Sequence, residues 1–189
     1  GLEALACSIN DVSCKTPLGT FVDVEGTANV KMMLPRGFDG FLKVTSTDTL
    51  PGLWYFTEPL LVPRVAKPLA AVSPATLELL AAITGLSVDA SKGLVILEAF
   101  DCNNVAAGGI HFEEGKRTAR PFYIIDELPS LEATVTARDD MADLAAGGFL
   151  NAPPGFTVFT ARIGVDGPVL NQHNAHVQAS TVTYLDIYP

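Results

Sequence analysis

The stretch "GLVILEAFDCNNVAAGGIHFEEG", residues 93–115, carries two apolar, β-prone runs on either side of a polar turn, with paired glycines just ahead of the second run. It reads as strand, turn, strand. The chain on its C-terminal side repeats the theme: "PFYIIDELP" (121–129) is a short aromatic and β-branched run between prolines. In "LEATVTARDD" (131–140), Leu131, Ala133, Val135 and Ala137 alternate with Glu132, Thr134, Thr136 and Arg138, which is the period of a half-buried strand. "GGFLNAPPG" (147–155), "FTVFTARIG" (156–164) and "HVQASTVTYLDIYP" (176–189) complete about seven short strands with turn signals between them, the pattern of an antiparallel sandwich. Pro153, Pro154 and Gly155 are expected to form the corner that leads into a long strand beginning near Phe156.

The first third of the chain echoes this order. "TFVDVEGTANVKMMLPRGFDGFLKVTS" (20–46) aligns with "TVTARDDMADLAAGGFLNAPPGFTVFTARIG" (134–164) as acidic turn, apolar strand, Pro and Gly corner, and apolar strand. Between the copies lies the one convincing helix: Ser73 suits an N-cap, Pro74 the first helical position, and Leu77, Leu80, Ala81 and Thr84 recur at helical spacing before Gly85. The fold expected is therefore all-β: two tandem Greek-key β-sandwich modules joined by one short helix. The first module spans 1–66, the helical connector 67–92 and the second module 93–189.

Several residues carry a resemblance. Asp101, Gly108 or Gly109, Asp139, Gly147 or Gly148, Pro154 and Gly155 occupy, in order, the turn and corner positions of the carboxypeptidase regulatory-like domain, a transthyretin-like or immunoglobulin-like β-sandwich. The likeness covers most of 93–189 and extends more loosely over 20–47 through Asp23, Gly26, Pro35 and Gly37. It implies a structural or adhesive module in a secreted or surface protein; turn signals say little about chemistry. If "GLEALACS" (1–8) matches the second strand of the later copy, the first module lacks its opening strand. Three explanations stand open: a segment upstream of Gly1, a strand donated by a neighbouring molecule, or a misplaced alignment.

Composition narrows the function classes. Hydrophobic residues make up 48% and charged residues 17%, enough apolar material for packed cores. Lys and Arg number 12 against 21 Asp and Glu, and the net charge of −9 would repel nucleic acid and anionic lipid. The apolar window from Val65 to Leu86 contains Lys67, Pro68, Pro74 and Glu78, so it is no clean span of about 20 residues and no membrane insertion is expected in this segment. Cys7 and Cys14 suit a loop-closing disulfide, with two buried reduced thiols as the other reading; Cys102 is expected free and half-buried.

Asp139, Asp140 and Asp143 in "RDDMAD" are the candidates for a weak calcium site, set against a solvated acidic turn. His173 and His176 are expected on a loop, and His111 outward on a strand. Trp54, Tyr55 and Phe56 form either an exposed contact platform or alternate core positions. With no hydrolase, zinc-protease or phosphate-loop motif, neither catalytic residues nor cofactors are expected.

The expected role is a non-enzymatic structural or adhesive component of a bacterial surface or extracellular assembly. Its partners are proteins, copies of itself among them through strand complementation. The alternative is an accessory module of a larger secreted protein, binding carbohydrate or calcium.

Overall fold

A computed structural model describes residues 1–22, 33–61, 71–139 and 144–189. The described residues are mostly β, with two sheets and one short helix. In chain order the strands are β1 (Leu2–Ser8), β2 (Gly19–Val22), β3 (Gly40–Ser46), β4 (Gly52–Tyr55), β5 (Gly93–Ala99), β6 (Ile110–Glu114), β7 (Pro121–Ile125), β8 (Leu128–Ser130), β9 (Ala146–Ala152), β10 (Gly155–Ile163), β11 (Val169–Val177) and β12 (Val182–Ile187). Helix α1 (Pro74–Thr84) lies between β4 and β5. The larger sheet has nine strands in the order β2-β1-β3-β4-β12-β5-β9-β7-β8, and the smaller has the order β11-β10-β6.

Strand β12 joins the two ends of the chain. It pairs in parallel with β4 on one side, through Val182↔Gly52 to Leu185↔Tyr55, and with β5 on the other, through Val182↔Leu94 to Ile187↔Ala99. Four strands from the first sixty residues are thereby hydrogen-bonded into one sheet with strands from beyond residue 92. The "LEALACS" segment, β1, lies inside this sheet between β2 and β3. Asp23 and Gly26, which carry part of the resemblance, lie outside the described residues.

Two cores follow from the alternation of side chains along these strands. Between the sheets, Val95, Leu97, Phe149, Leu185 and Ile187 of the large sheet meet Phe112, Phe159, Ala161, Ala175 and Val177 of the small one. On the opposite face of the large sheet, Leu94, Phe122, Leu150, Val182 and Tyr184 pack with Val72 and Ala81 under α1. Because β5 and β12 are covered on both faces, both read as almost unbroken apolar runs.

The helix has the ends its sequence predicts: the Ser73 hydroxyl accepts from the Thr76 N–H at 3.0 Å, Pro74 occupies the first turn, and Gly85 closes the helix in the left-handed region at φ 68°. The corner at Pro153 and Pro154 is also observed, carrying the chain from β9 in the large sheet to β10 in the small one.

Two local expectations change. Residues 131–138 form no strand; Thr136, from the supposed polar face, is the buried residue at 2% exposed. Its N–H donates to the Ile110 carbonyl at 2.8 Å, while its hydroxyl accepts from the Ile110 N–H and donates to the Ala107 carbonyl. One threonine thus satisfies the edge of β6 where a ladder was expected. Residues 169–177, expected as loop, form the nine-residue strand β11, because Ala175 and Val177 alternate into the core.

Thr183 on β12 is fully buried, and among the described residues its hydroxyl has no hydrogen-bond partner. A buried hydroxyl without a partner costs about 1–3 kcal/mol of desolvation. Thr183→Val keeps the shape and removes the polar atom, so it should stabilise the protein by about 1 kcal/mol, whereas Leu185→Ala should cost about 3 kcal/mol. Urea unfolding of the two variants checks both signs.

Candidate functional site

The calcium candidates fall at one end of the large sheet, where β7 turns into β8. Asp126 and Glu127 form that turn, both in the left-handed region at φ 50° and 65°. Across from them, Asp139 exchanges backbone hydrogen bonds with Leu144, its N–H donating at 2.8 Å and its carbonyl accepting at 3.2 Å. Ile124, Asp126, Glu127, Ala137, Arg138, Asp139 and Leu144 line a cleft of about 510 Å³. Asp140 and Asp143 lie outside the described residues.

This cleft brings carboxylates beside a guanidinium. Such an arrangement can take up charged groups by ion pairing, and it contains neither a histidine base nor a nucleophilic hydroxyl or thiol among its described lining residues. No cluster of three metal-capable side chains occurs among the described residues.

Elsewhere the chemically capable side chains are committed to holding the fold. Glu114, 2% exposed at the end of β6, accepts from the Lys116 and Thr118 N–H groups at 3.2 and 2.9 Å, and from the Thr118 and Thr157 hydroxyls at 3.3 and 3.1 Å. Burial pushes its carboxyl pKa up, but these donors, with the Ala119 N–H, outweigh burial and hold it below the usual glutamate value near 4.5. The carboxylate moulds the turn over residues 115–120.

Tyr123, buried on β7, accepts from the Phe112 N–H at 2.9 Å and lies 3.2 Å from His111 Nδ1. That nitrogen is 2.6 Å from the Thr134 carbonyl, which can only accept; Nδ1 therefore carries the proton and donates there. Burial pushes the Tyr123 phenol up to about 12.

The aromatic run on β4 packs inward and across the sheet. Trp54 stacks on Tyr184 at 4.2 Å, Tyr55 on Phe41 at 5.0 Å, and Phe56 meets Phe38 edge-on at 5.6 Å. The Tyr55 hydroxyl accepts from the His176 N–H at 3.1 Å and donates to the His176 carbonyl at 3.4 Å, tying β4 to β11.

His173 and His176 stand on β11, three apart and so on opposite faces. His173 faces inward near Glu58, and burial lowers its pKa against a smaller upward pull from that carboxylate. His176 faces outward, edge-on to Phe156 at 4.9 Å.

The disulfide between Cys7 and Cys14 is present, with Cα atoms 5.2 Å apart, closing the loop after β1. Cys102 is free but exposed, because it rides on the tip of the Asp101 turn, whose carboxylate accepts from the Asn103 and Val105 N–H groups.

Two further features lie on the surface, the second within the 113–133 stretch whose length departs from the resembled family and where a grafted site was expected. Phe156, on the outer face of the small sheet, is 60% exposed, and the β6–β7 turn presents exposed Lys116, Arg117 and Arg120. The "EEGKRTAR" charge run was a usable signal for the second.

No family model matches this chain, and neither does any curated protein. Among solved structures, a streptococcal ancillary pilin aligns with 99% of this chain and 60% of its own, at 12% identity and a TM-score of 0.30. No described helix is long and apolar enough to cross a membrane.

Two acid responses follow, of different origin. The Glu114 carboxyl is depressed in the fold, so its contribution is complete above about pH 4.5 and is lost as pH falls through the folded-state value. Glu114→Gln should lower the melting temperature at neutral pH and flatten the decline at acid pH. The depressed His173 contributes a loss that begins near pH 6.5 as the unfolded chain starts to take up a proton the fold resists. His173→Gln should remove that upper step alone, as read by thermal melts from pH 7 to 3.

Proposed function

We propose that this protein is a non-enzymatic structural or adhesive component of a bacterial surface or extracellular assembly, built on the carboxypeptidase regulatory-like, transthyretin-like plan. The observation that carries the reading is the Cys7–Cys14 disulfide within a β framework, since such bridges persist in oxidising, extracytoplasmic settings. The commitment of Glu114, Tyr123, His111 and Tyr55 to internal bonds supports it, because a scaffold spends its polar side chains on rigidity.

On this reading the segments 1–66 and 93–189 are two related Greek-key modules joined by the 67–92 connector. They are fused side by side through the β4–β12 pairing rather than hung apart on a linker. That same pairing supplies a neighbour to β4 from within the chain, so self-assembly need not begin by completing the first module with a foreign strand.

A second reading, an accessory carbohydrate-binding module, has one feature in its favour. Exposed Phe156 and Val158 share the outer face of the small sheet with Asn174, which pairs with Val158, an apolar surface next to a neutral amide.

Protease treatment of intact cells decides the location: the protein should be cut without lysis. Under non-reducing conditions an alkylating reagent should add to Cys102 and leave Cys7 and Cys14 unlabelled. Protection of the protein inside intact cells, with all three thiols reactive, would refute the surface assignment. Binding to a panel of polysaccharides that Phe156→Ala abolishes would favour the accessory module instead.

A further inference from the structure

The two ends of strand β7 in the large sheet carry charges of opposite sign. Strand β7 runs antiparallel to β9, and β9 antiparallel to β5, so β5 and β7 end on the same side, together with β4 and β12. At that end lie Asp101 after β5, Asp126 and Glu127 after β7, and Asp139 beside the start of β9. Arg138 is the cation among them.

At the opposite end, the turn from β6 to β7 presents Lys116, Arg117 and Arg120, three of the twelve cations in a chain of net charge −9, within five residues. Its nearby carboxylates are accounted for as follows. Glu114 is buried under the turn, Glu113 sits 3.3 Å from Arg162 and 4.0 Å from Arg117, and exposed Glu132 follows Leu131, whose carbonyl accepts from Arg120.

The turn is also rigid. Two backbone N–H groups of the turn, those of Lys116 and Thr118, donate to the Glu114 carboxylate, which the Thr157 hydroxyl ties to β10, and Arg117 is held in the left-handed region at φ 52° with its side chain 80% exposed. The cationic side chains are therefore presented on a set surface, at little further ordering cost on binding. Strand β7 has five residues, which places the two ends about 16 Å apart at about 3.3 Å per residue. That exceeds the Debye length of about 8 Å at physiological ionic strength, so each end acts as a separate charged surface.

We infer that copies of this chain associate head to tail, the cationic β6–β7 turn of one seating in the carboxylate-lined cleft at Asp126, Glu127 and Asp139 of the next. The charge signs match, and a cleft of about 510 Å³ has room for the long side chains of Lys116 and Arg117. The contact uses different surfaces on the two partners, so it does not close on itself as a two-fold pair would, and it propagates along the strand axis. This rests on the proposed assembly role and names the surfaces that perform it.

Sedimentation of the intact protein tests the inference. At low ionic strength the mass should rise above that of one chain with concentration, and it should return to one chain near 1 M salt, where the Debye length is about 3 Å. Two charge-reversed variants make the assignment specific: K116E/R117E/R120E leaves both ends acidic, and D126K/E127K leaves both ends basic. Each alone should stay monomeric, and an equal mixture should associate again.

Unfolding midpoints near that of the parent establish that each variant folds. If D126K/E127K does not fold, D126N/E127Q takes its place and should weaken association of the parent type. A protein that is monomeric at low salt, variants that associate like the parent, or a mixture that stays monomeric overturns the inference. Cell-surface protease accessibility is read independently, so a surface protein with no head-to-tail contact would sink this inference and leave the proposed role standing.

Discussion

The rest of the structure depends on the insertion of β12 between β4 and β5. A strand parallel to both neighbours cannot be reached by a tight hairpin, so each pairing requires a long connection over a face of the sheet. Helix α1 lies on one such connection, and its packing against Leu94, Val182 and Tyr184 covers the face that would otherwise be open. The small sheet covers the other face. Burial on both sides explains why Val182, Thr183, Tyr184, Leu185 and Ile187 are all nearly inaccessible, and why β12, like β9, is almost wholly enclosed.

Polar groups then set the details that apolar burial leaves loose. Tyr55 clamps β4 to the backbone of β11, Thr136 substitutes for a strand along β6, and Asn151 accepts from the Asp89 N–H while donating to the Ser87 carbonyl, fastening the chain beyond α1 to β9. Each joins segments far apart in sequence. Glu114 works more locally, shaping a cationic turn from beneath with a carboxylate that never reaches the surface. That division gives the buried polar bonds the work of shaping the surface that the charged side chains occupy.

Much of the local structure was legible in the sequence because it depends on short-range chemistry. Ser73, Pro74 and Gly85 mark the helix ends through capping and backbone freedom, and Pro153 to Gly155 mark a corner no regular strand could cross. The misreadings share a cause as well. The polar surface of "NQHNAH" concealed a strand whose inward residues are small, and the tidy alternation of residues 131–138 suggested a strand where Thr136 had turned inward to hydrogen-bond with β6. Exposure of Cys102 likewise depends on the Asp101 turn, which lifts it clear of the core.

The candidate cleft was legible only as an acidic segment around Asp139; Asp126 and Glu127 join it because β7 and the segment before β9 converge in space. By itself the sequence determined an all-β chain with one capped helix, a disulfide-ready pair at Cys7 and Cys14, and an excess of acid over base, since spacing, caps and composition act within a few residues. Only the tertiary structure decided that both ends of the chain share one sheet and that Asp126, Glu127 and Asp139 meet at the end of β7 opposite the Lys116–Arg120 turn. Those outcomes follow from strand order and direction, which arise from long-range pairing that no local pattern records.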